Sequence, residues 1–150
     1  AGIGSGVMTF AAAAGTTLVA VTPEPTSMTD AYGAIKTLAI EVPDATPRLV
    51  VNMAASPQEA REVHERIDRV SRRFLGRGIE FAGAIPLDPA LPAAVRRQRP
   101  LTLVSPQSPA AVAIDRLAAA LAEELHRDQA VEPKGGGFLQ RLAGWIGLGG

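Results

Sequence analysis

The sequence predicts an α/β domain: a mostly parallel sheet with helices packed against it. Three observations carry this. Three short apolar runs, Leu18–Thr22, Leu49–Met53 and Ile79–Ile85, have the continuous hydrophobic character of strands buried on both faces. Each run leads into a helical pattern, and the loops between them are short. Strands alternating with helices at this spacing form parallel sheets joined by right-handed crossovers. With 150 residues the chain can bury one real core.

The elements follow in order. Gly6–Ala14 reads as a short helix stopped by Gly15. The strand Leu18–Thr22 ends at Pro23 and Pro25, which cannot donate to a ladder. Thr26 and Ser27 offer oxygens as N-caps, Asp30 suits the first turn, and a helix is predicted from about Met28 to Ile40. After the proline-containing loop 41–47 comes the strand Leu49–Met53.

Ser56, Pro57 and Glu59 then form a capping-box start for a helix to about Leu75. Ala60, Val63, Ile67, Val70 and Phe74 make its apolar stripe, with Glu62–Arg66, Glu65–Arg69 and Asp68–Arg72 as ion pairs on the wet side. In the strand Ile79–Ile85, Gly83 permits close approach of another backbone. A short helix at Ala90–Gln98, a fourth, weaker strand at Leu101–Val104 and a helix at Ser108–Arg127, capped by Ser108 and opened by Pro109, complete residues 1–127. Val112, Leu117, Leu121 and Leu125 give the last helix its apolar side.

Residues 128–137, with a glycine triplet, read as a flexible linker. In residues 138–150, Phe138, Leu139, Leu142, Trp145 and Ile146 fall within an arc of ~120° on a helix, which predicts an amphipathic membrane-surface segment. It is too short to span a core of ~30 Å.

Composition narrows the function. Fifteen basic and fifteen acidic residues balance, so no global field points to nucleic acid. Most of the charge of Arg69, Arg72, Arg73 and Arg77 is paired along the helix and no aromatic platform interleaves it, so they read as a solvated face. There is no cysteine, and His64 and His126 lack metal-ligand spacing. In open α/β sheets ligands bind at the carboxyl ends of strands, which directs attention to residues 23–27, to Asn52 and to residues 86–89.

The string PEPTSMTDAY at 23–32 and its neighbours, with AGIG at Ala1–Gly4, VVN at Val50–Asn52 and GAIPLDPALPAAVRRQRP at Gly83–Pro100, resembles the MinD-like P-loop ATPases, and among them the regulators of flagellar number and placement. The resemblance covers nearly all of residues 1–127 and implies the C-terminal half of a MinD/ParA-like nucleotide-binding domain. In that family AGIG follows an aspartate, so the chain is expected to be the C-terminal part of a longer protein. No G-x-x-x-x-G-K-[ST] string is present, and Gly33–Thr37 lacks the glycine before its lysine. The chain by itself is therefore expected not to hydrolyse ATP, with no catalytic residue and no metal ligand of its own.

The resemblance implies ATP with Mg²⁺ as cofactor of the intact protein. It assigns base recognition to Asn52 and to the loop Pro86, Leu87 and Asp88, with Gly2 in a phosphate-sensing remnant. Glu24, Thr26 and Ser27 are implied as a switch or dimer loop. The implied partners are a second copy, the inner face of the cell membrane, a signal-recognition-type flagellar GTPase, and flagellar switch or transcription components. The implied location is cytoplasmic and peripheral at the membrane, with no nucleic acid expected. The leading function is regulation of flagellar number or placement through ATP-dependent dimerisation and membrane association. The alternatives are a non-enzymatic, membrane-tethered interaction module and a fragment of a chromosome-partitioning ATPase.

Overall fold

The structure is a computed structural model and describes residues 5–14 and 16–131. The elements are α1 (Ser5–Ala13), β1 (Leu18–Val21), α2 (Pro25–Glu41), β2 (Arg48–Ala54), α3 (Pro57–Leu75), β3 (Glu80–Pro86), α4 (Ala90–Arg96), α5 (Leu101–Val104) and α6 (Pro109–Val131). The three strands form one parallel sheet in the order β1-β2-β3. This is the predicted fold class.

β2 lies at the centre, and its Leu49, Val50 and Val51 are buried on both faces as their apolar run requires. Against one face pack Ala31, Ile35 and Leu38 of α2 with Ala60, Val63 and Ile67 of α3, enclosing Val21, Leu49 and Val51. Burying each of the Val, Leu and Ile side chains among them is worth about 1.5–3 kcal/mol. A second, smaller cluster joins Ala94, Leu101, Ala110 and Ala111 beside Ile85. α6 begins there and runs back along β3. Its Glu124 meets Arg48, which also pairs with Glu80 at 3.3 Å, so one half-buried guanidinium ties the amino ends of β2 and β3 to the far part of α6.

Several expectations are corrected. β1 is buried on one face only: Val19 and Val21 point into the core, while Leu18 and Ala20 are exposed. Leu101–Val104 is a helical turn, not a strand. It finds no strand to pair with among the described residues; Leu101 instead drops into the small cluster, and Val104 and Ser105 bond back to Pro100 and Leu101. Tertiary packing overrides the strand propensity of the run.

On α3 the buried line is Ala60, Val63, Ile67 and Ser71, whereas Val70 is at the margin and Phe74 is exposed under the Arg73 guanidinium. Steps of 3, 4 and 4 follow the true helical period more closely than the predicted stripe. Of the three predicted ion pairs Asp68–Arg72 forms, at 2.7 Å, while Glu62 accepts from Gln58 instead. The residue packing over Gly83 is a side chain, Leu117 of α6, not a backbone, and the strand bulges there as its register on β2 skips Ala82. α6 continues through Val131, four residues into the segment read as linker.

Candidate functional site

Every expected site residue that the structure describes sits at the carboxyl end of the sheet. Gly2 and the amphipathic positions Phe138, Leu139, Leu142, Trp145 and Ile146 lie outside the described residues.

The turn from β1 to α2 differs from its expectation. α2 starts at Pro25, three residues early, because a proline at the first helical position has its φ preset and needs no N–H partner. Thr26 and Ser27 are thus inside the helix and do not cap it, and Asp30 lies beyond its first turn. The cap position is Glu24, whose side chain makes no capping bond. Ser27 Oγ accepts instead from Thr22 N at 2.9 Å, folding the first turn of the helix back on the end of the strand. Beside it, Thr22 Oγ1 is buried and has no hydrogen-bond partner.

At the end of β2, Asn52 is half-buried and pairs in register with Ile85. Its Oδ1 accepts from the N–H of Met53 at 2.9 Å, which leaves one lone pair and both amide N–H donors for a ligand. The loop after β3 divides its labour. Pro86 sits in register with Ala54, and Leu87 N–H donates to Ala54 O at 2.9 Å, so the loop is stitched to the end of β2 with the Leu87 side chain exposed.

Asp88 is buried and does structural work. Its Oδ1 accepts from Ala90 N at 2.8 Å and its Oδ2 from Ala110 N at 3.0 Å, fastening α4 and α6 to the loop. The Ala110 N–H above all, then that of Ala90, holds its carboxyl below the usual 3.8. Asp88 therefore anchors the loop, while Pro86 and Leu87 stay available.

A cleft of about 520 Å³ opens between the starts of α3 and α6, floored by Ala84 and Pro86 and rimmed by Pro57, Pro109, Val112 and Arg116. It takes in Pro86 but not Asn52 or Leu87. The sequence reading missed Met53, which has φ 59° and is 45 % exposed at the end of β2; no residue-type signal marks such a backbone.

At these strand ends the half-buried amide of Asn52 stands near the exposed apolar side chains of Met53 and Leu87. Among the described residues, no group of three or more His, Cys, Asp or Glu side chains is placed to hold a metal ion. Nor, among those residues, is any helix long and apolar enough to cross a membrane.

No family model matches the chain. Over 118 residues, 79% of its length, the chain is 40% identical to the antiactivator FleN of Pseudomonas aeruginosa, covering 42% of that protein. It is 30% identical over 150 residues to the flagellum site-determining protein YlxH of Helicobacter pylori, covering 98% of this chain and 50% of the relative. The MinD cell division protein of Aquifex aeolicus has a similar structure, with TM-score 0.57 and 27% identity over 73% of this chain and 44% of that one. The chain thus spans about half the length, or somewhat less, of the proteins it matches.

Proposed function

Because this chain belongs with the MinD-like proteins of the FleN and YlxH type, we propose that it is the base-binding part of an ATPase that regulates flagellar number or placement. The observation that carries this is the 40% identity to FleN. The half-buried Asn52 and Pro86 and the exposed Leu87, at adjoining strand ends, support a place for the adenine.

In this reading Asn52 reads the edge of the base, Pro86 and Leu87 border it, and Asp88 keeps their loop in place. When bound, Mg²⁺ would neutralise and orient the phosphates. ATP brings two copies together, with residues 24–27 near the contact, and residues 138–150 attach the dimer to the inner face of the membrane. One tail holds weakly, and two on one dimer add avidity of ~10²–10⁴-fold. A signal-recognition-type GTPase and flagellar switch or transcription components are the partners this role calls for.

The test pairs a cell assay with a vesicle assay on the intact protein. Deleting the gene is expected to change the number or position of flagella per cell, and Asn52→Ala to reproduce part of that change. Vesicle co-sedimentation is expected with ATP but not ADP, and to be lost on Trp145→Glu and Leu142→Glu. Normal flagellation in the deletion strain would overturn the flagellar role. Equal sedimentation in both nucleotides would overturn the dimer-gated anchor.

A further inference from the structure

Between Pro89 and Ile114 the chain has no acidic residue, and the three cations of that stretch, Arg96, Arg97 and Arg99, stand together. In a protein with fifteen basic and fifteen acidic residues this is a local excess, not part of a global field. All three arginines are exposed, and none has a carboxylate within ion-pair distance among the described residues. Asp88, the nearest acidic residue in sequence, is turned to the N–H groups of Ala90 and Ala110. Beside the arginines, Val95 is 66 % exposed and Leu103 69 %. Ala94 and Leu101 are buried with Ala110 and Ala111 at the start of α6, so the exposed groups stand on a packed base.

The backbone fixes this end of α4. Arg99 N–H donates to Ala94 O at 3.2 Å and Gln98 N–H to Val95 O at 2.9 Å, with Gln98 left-handed at φ 51°. That is the closing turn helices usually make with glycine. Cations at the end of a helix compensate its dipole, which gives one reason for basic residues there. It gives none for the two large apolar side chains left in water next to them. An arginine fork holds a carboxylate through two parallel hydrogen bonds, and apolar groups set among such forks call for a partner that is itself partly apolar.

We propose that residues 95–103 form a docking surface for an acidic segment of a partner protein, whose carboxylates meet Arg96, Arg97 and Arg99 and whose apolar side chains cover Val95 and Leu103. Two rivals fit less well. Nucleic acid draws on many phosphate contacts and, for single strands, on aromatic platforms, whereas residues 95–103 offer three cations and no aromatic ring. A membrane held by residues 138–150 would have to meet this patch as well. α6 carries the chain away from it: the helix Pro109–Val131 starts beside the patch, is roughly 34 Å long, and passes Arg48 at the amino end of β2. A protein partner can occupy the patch while the far end of α6 faces a membrane.

The experiment measures, by fluorescence anisotropy, binding of the intact protein to a short synthetic peptide in which pairs of Glu alternate with single Leu residues. Binding is expected, and to weaken as salt rises. Arg96→Glu with Arg97→Glu is expected to weaken it roughly tenfold or more, and Arg96→Lys with Arg97→Lys, which keeps the charge but not the fork, about two- to fivefold. Val95→Ser with Leu103→Ser is expected to cost about two- to tenfold, as is Ser in place of Leu in the peptide. Melting temperatures equal to that of the unaltered protein separate loss of the surface from loss of the fold. Arg69→Glu with Arg73→Glu makes the same change of net charge on α3 and is expected to leave binding unaltered; an equal loss there overturns the site, because net charge alone then matters. Peptide binding that survives the reversal of Arg96 and Arg97 also overturns it. Two further arms use a DNA duplex and vesicles of phosphatidylglycerol with phosphatidylcholine, the vesicle arm with Trp145→Glu and Leu142→Glu in place to remove the contribution of residues 138–150. If the peptide does not bind, and the reversal of Arg96 and Arg97 abolishes binding to DNA or to vesicles, the surface belongs to that rival and the proposal falls.

Discussion

Two strand-to-helix turns share the carboxyl edge of the sheet and are finished in opposite ways. Between β2 and α3, Ser56 Oγ accepts from Glu59 N at 3.1 Å, and Glu59 Oε2 reaches back to Ala55 N at 2.6 Å. The helix start satisfies itself within five residues. Between β1 and α2, Glu24 stands at the cap with no capping bond, and Ser27 has spent its oxygen on Thr22. Both helices open on a proline, so the difference lies in the side chains around it. A start that closes its own hydrogen bonds can serve as scaffold whatever else binds. A start without a side-chain cap leaves its first-turn N–H groups without a side-chain acceptor.

The strongest test of the scaffold side is Asp88, which locks the loop beside the β2–α3 turn to two helix starts. Asp88→Ala is expected to give the largest loss of stability among the substitutions considered, because it leaves the Ala110 and Ala90 N–H groups without their acceptor. Thermal melting measures it, and a drop no larger than that of Ser56→Ala would mean the loop is held by packing alone.

The same carboxylate sets a pH dependence. Its folded pKa is lowered, so its contribution is complete above the usual 3.8 and is lost as pH falls below that through the folded value. Asp68, lowered first by its hydrogen bond from Arg72 and also by Ile79 N–H, acts in the same direction. Acid melts of Asp88→Asn are expected to show a shallower loss below pH 3.8 than the unaltered protein; parallel curves would remove Asp88 as a source of the slope.

Ser56→Ala is expected to cost about 1 kcal/mol, the ordinary value of a lost N-cap. Glu24→Asp is the mirror test and the smallest effect. A short carboxylate at that position can reach the first-turn N–H groups, so a gain of about 0.5 kcal/mol is expected by denaturant unfolding. No gain would show that the α2 start is already satisfied, and the contrast between the two turns would collapse.

The local signals were legible where neighbours in sequence complete one another. Ser56, Pro57 and Glu59 specify a helix start by themselves, and it forms where the sequence puts it. The apolar run Leu49–Val51 demands cover on both faces and receives it. A partner at long range is what the sequence could not show. Leu101–Val104 has the composition of a strand, but with no ladder to join it becomes a turn of helix around Leu101. Asp88 looks like a ligand in a loop until the start of α6, 22 residues on, is seen to occupy one of its oxygens.

By itself, then, the sequence determined the α/β class, the parallel alternation and the position of the residues at the strand ends, because hydrophobic period, prolines and caps act over a few residues. Only the tertiary structure decided which of those end residues are free. Asp88 accepts from two backbone donors, Ser27 from Thr22 and Asn52 from Met53, whose positive φ no side-chain chemistry announces. The physical reason is that a hydrogen-bonding group has fixed capacity, and what remains for a ligand is known only after the fold has taken its share.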